Sequence, residues 1–229
     1  MIENQVITIT TVREFHALHS WLEAMEQKET VSKFIKSRWV TPPFTDGLKL
    51  MPDLPLCYRI DVDGEVTWDV STPEGISVIF AGSSTVVHHR GDIEAQERAH
   101  VKCRWFNDHG CGLPQDPGTV VLRGRSSLET VDMENVRTHV IAHDCATWRS
   151  HSGMTVCADG CTRGWAANST VQLDGNAAVT ASCASTIRAG GHAVVWMEEK
   201  TANSVEIVEG SNAHVQAVED LFGETDSFD

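Results

Sequence analysis

The sequence predicts a mainly β protein, a parallel β-solenoid with an N-terminal helical segment and a short C-terminal helix and tail. Three observations carry this reading. An eight-residue repeat runs through the second half of the chain, each unit places two apolar residues one apart, and small or turn-forming residues recur at the same point of every unit. A length of 229 residues, 41% of them apolar and 22% charged, is ample for a buried core and far from the composition of disordered chains.

The first segment, residues 1–50, reads as helical. Thr11-Val12-Arg13-Glu14 is a capping box, and Phe15, Leu18, Leu22 and Met25 follow at helical spacing as one apolar stripe. A second short helix is predicted from Thr30 to Arg38, with Pro42-Pro43 closing it. Residues 51–117 read as a β segment with an insertion. Cys57 to Val62, an Asp63-Gly64 turn and Glu65 to Val70 alternate with period two, as a hairpin or as the first rungs of something larger. The stretch 90–117 is rich in charge, Gly and Pro, and a helix from Ile93 to His100 followed by a loop is expected there.

The repeat itself defines residues 118–199. Four octads stand in register: ANSTVQLD (167–174), GNAAVTAS (175–182), CASTIRAG (183–190) and GHAVVWME (191–198). VRTHVIAH (136–143), DCATWRSH (144–151) and SGMTVCAD (152–159) precede them, joined by the shortened GCTRGWA (160–166). SLETVDME (127–134) belongs to the same series, and GSSTVVHH (82–89) stands alone upstream. Two inward residues around one outward residue make a short strand, and Gly, Asn, Asp, Ser or Ala at each unit boundary makes a corner. A single octad cannot bury its apolar pair, so the units must stack. The competing arrangement is a flat antiparallel meander, which would call for two-residue hairpin turns that this sequence nearly lacks.

These octads resemble the small-residue/Val/Ala repeats, of the form G-S-A-T-V-x-A-x, of actinobacterial and actinobacteriophage β-solenoid proteins. The resemblance covers 127–198 and 82–89, and Trp148, Gly164 and Met197 depart from it. It implies a fold and not an activity, so it carries over no functional residue.

Residues 200–229 form the acidic C-terminal segment, with a helix expected from Ser211 to Phe222. Asp220-Leu221-Phe222 is similar to the short motif that docks bacterial polymerases on the sliding clamp. The alternative is an amphipathic helix that caps the solenoid.

Metal chemistry has one candidate site. His100, Cys103, His109 and Cys111 offer four borderline-soft ligands within twelve residues, suited to a structural zinc; the alternative is surface histidines with two buried thiols. No other cofactor is expected. Cys145, Cys157, Cys161 and Cys183 fall at small-residue positions of the repeat, where a thiol acts as a small hydrophobe. His139, His143 and His151, near Asp144, are candidates to line one face. Catalytic residues are not assigned, because the nucleophile, phosphate-loop and metalloprotease motifs are absent.

The net charge of −14 excludes a general binder of nucleic-acid backbone, which needs Lys and Arg to displace counterions. The charge is unevenly placed: residues 51–100 carry −6, residues 201–229 carry −7, and the repeat is close to neutral. No apolar run approaches the roughly 18 residues of a membrane span. The opening MIENQVITITTVREF has no signal-peptide pattern, so the expected compartment is a bacterial or infected-host cytoplasm with mostly free thiols. The function expected is therefore a non-catalytic protein-binding module, a phage-encoded or bacterial regulator of a host protein. Its partner is expected to be a sliding clamp or another host DNA-processing factor, with no direct nucleic-acid or membrane binding. Two alternatives stand beside it: a self-assembling solenoid, hence a homo-oligomer, and an acidic DNA mimic that inhibits a DNA-processing enzyme.

Overall fold

The computed structural model describes residues 5–31, 56–73, 75–104, 118–130, 138–151, 153–198 and 203–218. The chain opens with strand β1 (Gln5–Ile9) and helix α1 (Val12–Val31). It continues with β2 (Leu56–Ile60) and β3 (Glu65–Trp68), β4 (Ile76–Phe80) and β5 (Thr85–His88), then β6 (Ile93–Ala95) and β7 (His100–Cys103). Next come β8 (Thr119–Leu122) and β9 (Ser127–Thr130), β10 (His139–Ala142) and β11 (Thr147–Ser150), then β12 (Thr155–Ala158) and β13 (Arg163–Ala167). Last are β14 (Thr170–Leu173) and β15 (Ala178–Ser182), β16 (Thr186–Ala189) and β17 (Val194–Glu198), then β18 (Ser204–Ile207) and β19 (His214–Val218).

Each pair is one coil of a parallel β-solenoid. The first member of every pair joins a ten-stranded sheet that starts at β1, and the second member joins a nine-stranded sheet. The pairing continues across the expected segment boundaries, since β6 pairs with β8, β7 with β9, β16 with β18 and β17 with β19. An octad is thus one side of a coil, and a regular coil takes two: Val140 pairs with Val156, Val171 with Ile187 and Val179 with Val195. The shortened unit 160–166 reduces one coil to a 15-residue offset, Thr155 to Thr170, and the saving falls at the corner after β13.

The repeat dictates the core. Val120, Leu122, Val140, Ala142, Val156, Ala158, Val171, Leu173, Ile187 and Ala189 project inward from the first sheet, against Leu128, Trp148, Val179, Ala181 and Val195 from the second, all buried. Each larger aliphatic contributes about 1.5–3 kcal/mol by leaving water. The departures at Trp148 and Gly164 compensate each other. The two are register partners on neighbouring coils, and a Cβ on Gly164 would lie 2.0 Å from Trp148 Cε2, so the indole occupies space that only glycine leaves.

The passage from first to second sheet is a four-residue corner, for example 143–146, closed by an N–H donated from its fourth residue to the carbonyl of its first (Ala146 to His143, 3.2 Å). In the seven corners from 81–84 through 190–193 the second residue has positive φ: Gly82, Gly124, Gly160, Gly175 and Gly191, with Glu97 and Asp144 in the same place. At Gly191 (φ +57) a Cβ would lie 2.7 Å from the Gly175 nitrogen, so packing against the neighbouring coil reinforces the backbone demand for glycine. The two acids offset their left-handed geometry by accepting a hydrogen bond from the equivalent residue one coil back. Glu97 Oε2 accepts from Gly82 N (2.9 Å) and Asp144 Oδ2 from Gly124 N (3.0 Å).

Helix α1 covers one end of the stack. Its capping box forms as expected, with Glu14 N donating to Thr11 Oγ1 and Thr11 N to Glu14 Oε2, each 3.2 Å. Hydrogen bonds donated to the Glu14 carboxylate by Thr10 N, Thr11 Oγ1 and Thr11 N hold it below its ordinary range. Phe15, Leu18, Trp21 and Leu22 are buried, and the Phe15 ring centroid lies 6.4 Å from Trp68 and 6.3 Å from Phe80. A two-pronged ion pair between Glu26 and Arg90 ties the helix to the corner after β5. Among the described residues no helix is long and apolar enough to cross a membrane.

Several local expectations are corrected. Ile93 to His100 is not a helix but β6, a corner and the start of β7; Ile93 and Ala95 face inward, and Glu97 at the corner hides the pattern that glycine marks elsewhere. The helix expected from Ser211 to Phe222 is strand β19 over His214–Val218, because the parallel register of β17 continues into it; residues 219–222 lie outside the described set. Of the helix expected from Thr30 to Arg38, residues 30 and 31 belong to α1 and 32–38 lie outside the described residues. Of the two readings of residues 57–70, the first rungs of something larger holds and the hairpin does not, since β2 and β3 sit in opposite sheets as rungs of the solenoid.

The Trp148 and Gly164 exchange is testable by chemical denaturation. Gly164→Ala is expected to lower stability by about 1–3 kcal/mol through overpacking. Adding Trp148→Val should recover most of that loss, whereas strictly additive effects would show that the indole does not fill the glycine's space.

Candidate functional site

The two long edges of the solenoid differ. Where the chain passes from first to second sheet, from 61–64 through 190–193, each corner is four residues long, and only the last, 208–213, is longer. Where it passes back, the connections are 69–75, 89–92, 104–118, 131–138, 151–154, 168–169, 183–185 and 199–203. All the large variation in length therefore falls on one edge. A stack tolerates this because a loop that leaves and re-enters at the same rung does not disturb the register of its neighbours.

A row of buried polar side chains lies inside that returning edge: His88, Thr138, Ser150, Ser169, Ser182 and Ser185. The Ser169 hydroxyl lies within hydrogen-bond reach of the Ala167 and His151 carbonyls (3.0 and 3.1 Å) and can donate its one proton to either, and Ser185 Oγ donates to the Ser182 carbonyl (3.2 Å). His88 donates from Nε2 to the Gly91 carbonyl (2.7 Å), which leaves Nδ1 to face the Cys103 thiol at 3.9 Å. Burial pushes His88 down to about 4 and Cys103 up to about 12, so both are neutral near pH 7. A buried neutral thiol beside a neutral imidazole is a packing contact and not an activated nucleophile.

This decides the described half of the expected zinc set. His100 and Cys103 are three residues apart on one strand, an odd separation that puts them on opposite faces. Cys103 is buried in the core, whereas His100 faces outward with Ser127 Oγ at 2.7 Å from Nδ1 and the Glu129 carboxylate at 3.3 Å from Nε2. His109 and Cys111 lie outside the described residues. Among the described residues no three His, Cys, Asp or Glu side chains are placed to hold a metal ion. The structure joins Cys103 to His88 instead, a pairing legible only once the 15-residue register of β5 and β7 is known.

Ser127, His100 and Glu129 contain the groups of a nucleophile triad, on the outer surface of the second sheet. The Ser127 amide, however, donates to the Ala99 carbonyl (3.0 Å) within the ladder, so it is not free to steady an oxyanion there. The other expected histidines do not share a face. His139 stands on the outer surface of the first sheet, His143 sits on the four-residue edge against Asp159 (2.8 Å), and His151 lies at the returning edge against Trp165 (ring centroids 4.9 Å apart). Offsets of four and eight residues carry them around the coil.

Cys145, Cys161 and Cys183 are exposed, contrary to the small-hydrophobe expectation, and Cys157 is half-buried. The third corner position, held by Cys145 and Cys161, faces solvent, whereas the last corner residue, such as Ala146 or Ala177, turns inward. The outer surface of the second sheet also carries a row that the repeat alone does not announce: Arg149, Trp165, Thr180, Trp196 and Gln216 in register, with the Arg149 guanidinium 5.4 Å from the Trp165 ring centroid. Asp220, Leu221 and Phe222 lie outside the described residues.

The buried imidazole makes a pH prediction. His88 takes up a proton in the unfolded chain near its ordinary value of 6.5 but in the folded chain only near 4. Its contribution is therefore complete above about pH 6.5 and falls as pH drops toward 4, by on the order of 3 kcal/mol in all. His151, lowered by burial and by Arg149, acts in the same direction. Thermal unfolding between pH 7.5 and 4.5 should show Tm falling with acid, and His88→Leu should flatten that dependence; an unchanged slope would exclude His88 as its source.

No family model, curated protein or solved structure matches this chain.

Proposed function

We propose that the chain is a non-catalytic protein-binding module, a phage-encoded or bacterial regulator that works in the cytoplasm by occupying the surface of a host protein. The observation that supports this reading is the asymmetry of the two edges. One edge is a row of four-residue corners up to the last, 208–213, and the other carries the longest connections, the usual arrangement where a repeat scaffold displays binding loops. The chemistry of the interior points the same way, since the His88–Cys103 contact is buried and neutral.

The self-assembling alternative is weaker because α1 covers one end of the stack, which removes one of the two faces that an open filament needs. DNA mimicry is weaker because the seven acids of residues 118–198 are nearly balanced by six Arg, which leaves most of the solenoid without the continuous negative surface that a duplex presents. The sliding clamp is the specific partner proposed, through Asp220, Leu221 and Phe222, with the returning edge as the second contact surface.

Surface plasmon resonance against a purified bacterial sliding clamp tests this with two variants. Leu221→Ala with Phe222→Ala should lower affinity at least tenfold if the motif docks. Replacing 104–118 by a four-residue corner copied from 151–154 should leave Tm within a few degrees and weaken binding if that edge contributes. Absence of binding by the full chain would remove the clamp from consideration, and a discrete monomer or dimer at all concentrations in gel filtration would exclude the filament.

A further inference from the structure

We propose that Cys145 and Cys161 form a dithiol site on the four-residue edge, which takes low-molecular-weight disulfides as its oxidant and closes into a disulfide between successive coils. The corners 143–146 and 159–162 have the same length and are flanked on both sides by strands in the same 16-residue register, Ala142 with Ala158 and Thr147 with Arg163. The hydrogen-bond ladder continues through the corner: Asp159 N donates to Ala142 O (3.0 Å), Cys161 N to Asp144 O (2.7 Å) and Arg163 N to Ala146 O (3.1 Å). The His143–Asp159 contact of 2.8 Å and the seating of Gly160 against the Asp144 backbone show side chains and backbone stacked residue on residue along this edge.

Cys145 therefore sits one rung from Cys161. At the spacing of neighbouring strands their Cα atoms are about 4.8 Å apart, inside the roughly 4.4–6.8 Å span that a disulfide bridges. Both thiols are exposed, as reaction with a small disulfide requires. The other described cysteines are placed differently. Cys57 and Cys103 are buried, Cys157 stands half-buried on the outer surface of the first sheet with its thiol pushed up by burial, and Cys183 is exposed on the returning edge. The same outward corner position is held by Arg98 and Arg125 in earlier coils and by Asn176, His192 and Asn212 in later ones, so the two cysteines are adjacent and isolated in this column.

The chemistry balances with an oxidant such as glutathione disulfide. The thiolate of one cysteine attacks a sulfur of the oxidant, breaking its S–S bond, forming a mixed disulfide and releasing one glutathione thiolate. The second cysteine's thiolate then attacks the protein sulfur of that mixed disulfide, forming the Cys145–Cys161 bond and releasing the second glutathione. Two protein thiols are oxidised, two glutathione sulfurs are reduced, and the two thiol protons end on the released glutathiones. A dithiol reductant reverses the step. The bond ties two coils already in place, so it stabilises the fold by limiting the unfolded chain.

The experiment treats the full chain with glutathione disulfide and maps disulfides by mass spectrometry of unreduced peptides. A Cys145–Cys161 link is expected, with loss of two hydrogens in mass and two fewer thiols open to alkylation. Cys145→Ser should instead hold a stable glutathione adduct on Cys161, and Cys161→Ser one on Cys145. Oxidation should raise the Tm of the wild-type chain and leave that of the double variant unchanged. Glutathione on both cysteines at once, a link from either to Cys183 or to a second chain, or two thiols that stay free under oxidation sufficient to modify Cys183 would each overturn the proposal.

Discussion

A parallel stack closes only if every coil returns to the register of the one before it, and here the four-residue corner between the sheets enforces that return. From 81–84 through 190–193 the demand falls on its second residue, which takes positive φ while its backbone touches the neighbouring coil. Glycine meets both conditions at most corners. Glu97 and Asp144 meet them by directing a carboxylate onto the amide of the equivalent residue one coil back, so the strain of a left-handed acid is offset by a charge-assisted hydrogen bond. With that edge fixed, the inward Val, Leu, Ile and Ala fall into line on both sheets, and the other edge is free to vary.

The legibility of the fold in the sequence follows from that constraint. Where glycine or a small residue marks the corner and Val and Ala mark the strand, as in 167–198, the coils can be read directly. The coil made by β6 and β7 is hidden because Glu97 stands at the corner and charged residues surround it, a texture that also suits a helix. β19 is hidden because the 20-residue interval between Val194 and His214 breaks the eight-residue count. Trp148 and Gly164 look like two defects in the repeat and are one packing solution, visible only when coils are laid on each other.

The candidate sites are less legible, for a simpler reason. Strand parity separates His100 from Cys103, and the coil carries His139, His143 and His151 to three sides of the body. Closeness in sequence therefore misleads in this fold, while separation by one coil brings groups together, as His88 and Cys103 show from 15 residues apart. The capping box of α1, by contrast, is a local signal and forms as its spacing predicts.

The position of α1 has one more consequence. Each coil after β2 touches mainly its immediate neighbours, and the aromatic contacts of Phe15, Trp21, Tyr58, Trp68 and Phe80 lie at the end that leaves the ribosome first. The order of synthesis is therefore the order of stacking. Once β1, α1 and the first coil have met, each later coil finds a finished edge to pair with as soon as its two strands have emerged, so assembly can proceed in one direction from a nucleus made at the start.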